Sequence, residues 1–192
     1  MKKFLITILL FFVAVFVSAC GGSSNDNSDT TVNDNVNFKL YASQDFAIRY
    51  PIDWEVKTAF DGKFPDSTVI VFVNITDKAS LKANINIDRR SVSNVDNISF
   101  AKQMLNRHET DLIEYKKIAE QNLKVKVSGE AKDTVMTVFE GKNKTDGDRF
   151  QFIQIYAVKG SYAYIATGTM LAAADEATIQ AITSSLKTLE IN

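Results

Sequence analysis

The sequence predicts an α+β domain whose helices pack on a mainly antiparallel sheet. Two observations carry that expectation. Between residues 46 and 167, short runs alternate apolar with polar residues or concentrate Val, Ile, Phe and Tyr, as strands do. Two further segments repeat apolar residues at the spacing of an amphipathic helix. Composition agrees with a folded chain: of 192 residues 45% are hydrophobic, and the formal charge is -1. That balance argues against nucleic acid as a partner, which calls for a basic patch or stripe.

The chain opens with Lys2 and Lys3, then fourteen residues from Phe4 to Val17 that only Thr7 interrupts, then Ser18, Ala19 and Cys20. This is the three-part layout of a secretory signal. The apolar run is short for a membrane span, which needs about 20 residues. Val17-Ser18-Ala19-Cys20 resembles the bacterial lipobox. The resemblance implies that residues 1–19 are a lipoprotein signal peptide and that Cys20 becomes the first, lipidated residue. The other reading is a plain signal cut near Ala19, leaving a free thiol. Each buried CH2 contributes about 0.8 kcal/mol, and one acyl chain alone holds only marginally; the two or three chains that lipoproteins carry imply a membrane partner through a firm anchor. Gly21 after the Cys is similar to outer-membrane sorting in enteric-type bacteria, with the domain facing the periplasm. In a Gram-positive cell the same chain would sit on the outer face of the plasma membrane.

Residues 20–37 are expected to form the lipidated Cys and a flexible linker. Gly21 to Asn37 has no aromatic and only two aliphatic residues, Val32 and Val36. It cannot bury enough apolar surface to offset its ordering entropy. Seventeen such residues span roughly 20–25 Å. The signal holds two basic residues and the linker three acidic ones, which leaves 20 of each from position 38 onward. Net charge therefore steers no partner to the 38–192 domain.

Within that domain, Phe46–Tyr50 alternates and is stopped by Pro51, which cannot donate to a ladder. Val69–Ile75 is apolar on both faces until Asn74, as in a central strand. Ala83, Ile85 and Ile87 alternate with Asn84, Asn86 and Asp88, which predicts one core face and one wetter face. Weaker strands read at Lys124–Val127 and Val135–Glu140, stronger ones at Arg149–Val158 and Tyr162–Thr167, joined by a hairpin at Lys159-Gly160. Ser99 is placed to cap a helix whose stripe is Ala101, Leu105, His108, Leu112 and Tyr115. A second helix spans about 172–186, with Asp175 and Glu176 near its positive end and Ile179, Ile182 and Leu186 as its stripe.

Asp45-Phe46-Ala47-Ile48-Arg49-Tyr50-Pro51-Ile52-Asp53-Trp54 resembles the opening F-x-I-x-Y-P-x-x-W of PsbP-like domains, which include the photosystem PsbP subunit and DcrB-type bacterial lipoproteins; the Ran-binding nuclear-import factor shares the fold. Ser128-Gly129-Glu130-Ala131 before a strand and the closing Ser184-Ser185-Leu186 agree in order. The resemblance covers about 150 residues. It implies an αβα sandwich, with Phe46, Tyr50, Pro51 and Trp54 as structural motif residues, and mostly non-enzymatic binding or accessory roles. Read physically, Trp54, the single Trp, plugs the edge of the core.

Candidate chemistry is sparse. His108 is the sole histidine and reads as a packed boundary residue, with no G-x-S-x-G elbow to serve. One His and one Cys cannot make a zinc site. Asp146-Gly147-Asp148 lacks the twelve-residue ligand series of a calcium loop and reads as a solvated turn, as does Asp61-Gly62. No G-x-G-x-x-G or P-loop occurs, and Arg89-Arg90 is too short for a phosphate patch. No catalytic residue, metal site or cofactor is therefore expected. The aromatics Phe150, Phe152 and Tyr156 on one strand and Tyr162 and Tyr164 on the next would be brought together by pairing, as core or as a shallow binding surface. The expectation is a membrane-anchored cell-envelope lipoprotein acting as a non-enzymatic module that docks on an envelope protein. A carrier of a small hydrophobic or lipidic ligand is the alternative, and an unrecognised hydrolase the third reading.

Overall fold

The computed structural model describes residues 37–60, 62, 64–79 and 81–192, which fall in one compact unit. The expected signal peptide, Cys20 and the linker as far as Val36 lie outside the described residues, as does Asp61 of the Asp61-Gly62 turn. Among the described residues no helix is long and apolar enough to cross a membrane.

In chain order the elements are β1 (Phe38–Ala42), β2 (Phe46–Pro51), β3 (Trp54–Lys57), β4 (Thr68–Asn74), β5 (Asn84–Ser91), α1 (Asn97–Asp111), β6 (Ile113–Val127), β7 (Glu130–Lys142), β8 (Phe150–Lys159), β9 (Tyr162–Leu171), α2 (Glu176–Leu186) and β10 (Glu190–Ile191). The strands form one ten-stranded sheet in the order β1-β2-β10-β6-β7-β8-β9-β5-β4-β3. Short β10 runs parallel to β6 and antiparallel to β2; the longer ladders are all antiparallel. The α+β architecture expected from the sequence is therefore present.

Register assigns every side chain to a face. On one face α2 packs, and β8 and β9 contribute Ile153, Ile155, Ala157, Tyr164, Ala166 and Met170 to the larger core. On the other face α1 packs, and Tyr156, Ile165 and Ala163 join Phe100, Ala101 and Met104 of the helix in a second cluster. The sheet curls around the α2 side. Tyr50 of β2 stacks on Phe72 of β4 at 4.7 Å between ring centroids, although six strands separate them in sheet order. Ile182 and Leu186 of α2 are wholly buried, and each such side chain contributes about 1.5–3 kcal/mol. α2 sits so close to β9 that a Cβ on Gly168 would lie 2.1 Å from Ile182 Cγ2.

Several expectations need correcting. α1 begins earlier, because the Asp96 carboxylate accepts from the Ser99 amide at 2.9 Å; Asp96 is the N-cap and Ser99 is helical. α1 also ends at Asp111, so Leu112 is its C-cap and Tyr115 lies in β6. The helix-like stripe failed there because β7 pairs with residues 113–127 across two register shifts, and that pairing overrides local propensity. β6 accordingly starts eleven residues before the expected Lys124. β4 is not central: it is next to the edge, with short β3 outside it. Ile70, Val71 and Phe72 are nonetheless buried on both faces, while Ile75 sits half-exposed in the following turn. Asp175 caps α2 from just outside the helix, accepting from the Thr178 amide at 2.7 Å.

The β6–β7 hairpin closes through Ser128 and Gly129, both at positive φ (52° and 81°), as a two-residue turn matched to strand twist requires. β10 covers only Lys126 and Val127 of β6. The open edge before them carries two register shifts, one of which extrudes Ile118, and the lysines Lys116, Lys117 and Lys124. Bulges and Lys are devices that keep an open edge from pairing with another chain.

Candidate functional site

The α1 face of the sheet carries a buried polar row. Thr137 of β7 lies opposite Gln154 of β8, which lies opposite Thr167 of β9, which lies opposite Asn86 of β5. All four are buried. The Gln154 amide donates to Thr167 Oγ1 at 3.0 Å. Its carbonyl oxygen accepts from the Tyr156 hydroxyl at 2.7 Å and from His108 Nε2 at 3.0 Å. An amide oxygen only accepts, so the imidazole holds its proton on Nε2. Burial lowers the His108 pKa below 6.5, partly opposed by the Gln154 bond, and burial raises that of Tyr156. Farther along the face, Asp88 accepts from Thr68 Oγ1 at 2.6 Å and lies 3.7 Å from Arg90. The β5 face expected to be wetter is therefore also covered, with Asn84, Asn86 and Asp88 each less than a tenth exposed. Hydrogen bonds among these side chains make that burial tolerable.

Pairing splits the expected aromatic surface. Phe150, Phe152 and Tyr156 lie on the α1 face, whereas Tyr162 and Tyr164 lie on the α2 face, because residues directly opposite in an antiparallel pair share a face and Tyr162 opposes Lys159, Tyr164 opposes Ala157. Tyr156 and Tyr164 are buried. Phe152 instead stacks on Phe139 at 5.1 Å, and Phe139 stacks on His108 at 4.9 Å. Phe139 was missed because β7 reads weakly in sequence. Tyr162 remains exposed under the Arg89 guanidinium at 5.2 Å, and Arg89 also pairs with Asp45 at 2.7 Å.

The motif segment frames a second feature. At the end of the sheet where β2 turns into β3, an open depression of about 480 Å³ is lined by Asn37, Pro51, Trp54, Asn74, Asp175 and Thr178. Trp54 and Pro51 are buried, Phe46 belongs to the α2-side core and Tyr50 packs against it. The Ile52 amide donates to the Asn37 carbonyl at 2.8 Å, so the first described residue is pinned to this turn. Asn74 Oδ1 accepts from the Thr76 and Asp77 amides, and the N-cap bond from Thr178 lowers the Asp175 pKa. A smaller depression of about 360 Å³ is lined by Asn143, Lys144, Phe150 and two residues of the Asp146-Gly147-Asp148 turn, Gly147 and Asp148. Among the described residues no group of three or more His, Cys, Asp or Glu is placed to hold a metal.

Chemically, the His108 pair is a packing clip. Its partner is an amide oxygen, which cannot exchange a proton with the ring, so the geometry offers no acid–base relay.

No family model matches the chain, and no curated protein matches it in sequence. Solved structures do match. Cyanobacterial PsbP (CyanoP) from Synechocystis has a TM-score of 0.56 at 8% identity, over 91% of this chain and 98% of that one. LpqN of Mycobacterium tuberculosis, described as involved in cell envelope biogenesis, scores 0.54 at 12% identity, over 84% and 94%. A point mutant of Mog1 scores 0.54 at 11% identity, over 80% and 95%. At these identities the likeness speaks to architecture. The curled antiparallel sheet with a helix on each face gives this chain the PsbP-like fold.

Proposed function

We propose that the chain is a cell-envelope lipoprotein, acylated at Cys20, whose PsbP-like domain is a non-enzymatic module docking on an envelope protein. The observation that carries this reading is the pairing of two features. The single Cys closes an apolar run of signal length, and the domain behind the linker has a fold it shares with an envelope-biogenesis protein, LpqN. The neighbours PsbP, LpqN and Mog1 point to accessory or binding roles rather than enzymes. The absence of a proton relay at His108 fits the same reading. Both depressions are open rather than enclosed, and the larger mixes Asn37, Asp53, Asn74, Thr76, Asp175 and Thr178 with apolar neighbours, which does not favour the carrier of a hydrophobic ligand.

The test is crosslinking in intact envelopes followed by purification of the acylated chain. One envelope protein recovered in stoichiometric amount, and lost when the domain is unfolded by a core substitution, supports the module. Co-purified lipid without a protein partner overturns it in favour of a carrier. Hydrolytic turnover abolished by His108→Ala overturns it in favour of an enzyme.

A further inference from the structure

We infer that the end of the domain carrying the β2–β3 and β4–β5 turns faces the bilayer and rests on it through Ile52 and Ile75. This deepens the proposed anchoring at Cys20 and rests on it.

The first argument is where the chain leaves the described structure. Seventeen linker residues separate Cys20 from the domain, a reach of roughly 20–25 Å. They join it at Asn37, whose carbonyl is hydrogen-bonded to the Ile52 amide. The acyl group is therefore tied to this end of the sheet. The opposite end holds the β8–β9 turn at Gly160 and Ser161, because β8 and β9 run the full length of the sheet between them.

The second argument is what this end exposes. Turns favour Gly, Asn, Asp and Pro, yet each of these two turns presents an isoleucine that is 49% exposed. Both flank one depression: Ile52 lines it, and Ile75 lies between Asn74 and Thr76, which also line it. Neither belongs to the buried core, which holds Trp54 and Phe72 nearby in sequence.

The third argument is electrostatic. Asp53 and Asp175 line the same depression, and Lys82 reaches the Ile75 carbonyl at 3.3 Å from the other side of the β4–β5 turn. This mixed surface, reached by an acidic linker, suits a zwitterionic lipid surface and not a strongly anionic one. Two side chains are enough because the tether supplies a high effective concentration, so contact needs little affinity of its own.

The experiment uses the full acylated chain in phosphatidylcholine vesicles. Acylation consumes the Cys20 thiol, so a cysteine introduced by Ile52→Cys, Ile75→Cys or Ser161→Cys is the single site for a nitroxide label. Collision with oxygen, which concentrates in lipid, is compared with collision with an aqueous nickel chelate. At 52 and 75 the oxygen-to-nickel ratio should rise about threefold or more relative to the unanchored Cys20→Ser chain, as expected for side chains entering the headgroup boundary; at 161 it should not change. Equal water access at all three sites on vesicles overturns the contact and leaves the anchoring reading standing. Loss of both oxygen and nickel access at 52 and 75 means that a second copy covers this end, and overturns the bilayer contact. The mass of the mature N-terminus, measured on the same sample, reads the anchor separately: an unacylated Cys20 overturns the anchoring and this inference with it.

Discussion

Gly168→Ala tests how α2 is seated. Gly168 lies on β9 opposite Ile85 and Ile153, on the face that α2 covers. The new Cβ would meet Ile182 Cγ2 at 2.1 Å, whereas carbons pack at about 3.5–4.0 Å. Ile182 is β-branched and in a helix, so it holds one preferred χ1 and cannot swing aside. The helix must shift by about 1.5 Å, or β9 must bend. Overpacking of this kind costs about 1–3 kcal/mol, and the upper half of that range is expected because neither partner can yield. For the 155 residues from position 38, about 2–3 kcal/mol corresponds to a fall in Tm of roughly 4–12 °C. The assay is thermal and urea unfolding of residues 21–192, followed by circular dichroism. Ile182→Ala removes the clashing carbon at its own cost of about 2–5 kcal/mol. In that background Gly168→Ala should cost almost nothing, a coupling of about 2 kcal/mol. A cost below about 0.5 kcal/mol in the wild-type background, or the same cost in both backgrounds, would refute close seating of α2 on β9.

Other outcomes follow from the same geometry. Trp54→Ala should destabilise by about 3–5 kcal/mol, because the indole is buried on β3; a urea midpoint unchanged from wild type would reject that burial. His108 is the only histidine, and its folded pKa lies below its unfolded 6.5. Its contribution is therefore intact above pH 6.5 and is lost as pH falls from there through the lowered folded value, since the unfolded chain takes up the proton first. Unfolding at stepped pH should show this decline in the wild type, and His108→Gln should flatten it; an identical pH profile in both chains would refute the assignment. Cys20→Ser should abolish palmitate labelling and release the chain from the membrane pellet; a labelled, pelleting variant would reject the anchor.

The fold was readable where local chemistry and tertiary demand coincide. Phe46–Tyr50, the alternation from Ala83 to Asp88 and the run Arg149–Val158 read as strands and lie largely in strands of the sheet, although β2 extends through Pro51. Three short strands were not readable. β1 and β10 have only 5 and 2 residues and exist because β2 pairs with both. β3 holds 4 residues at the sheet edge. Tyr115 fits a helical stripe as well as a strand, and the choice was made by β7, which lies beyond the turn at Ser128 and Gly129 and leaves no local signal in residues 113–123. The polar row had a partial signal: Gln154 stands alone among Ile153, Ile155 and Tyr156. Its burial could not be foreseen, since it depends on α1 lying over β7 and β8.

By itself the sequence determined what periodicity and composition can encode: a sheet-and-helix domain with Trp54 at its edge. Tertiary structure decided which face each aromatic takes, because a strand's two faces are distinguished only by what packs on them. It also decided that Asn37, Ile52 and Ile75 share one end of the sheet. Those residues are brought together by the direction in which β2 and β4 run, a relation between elements that no stretch of chain contains.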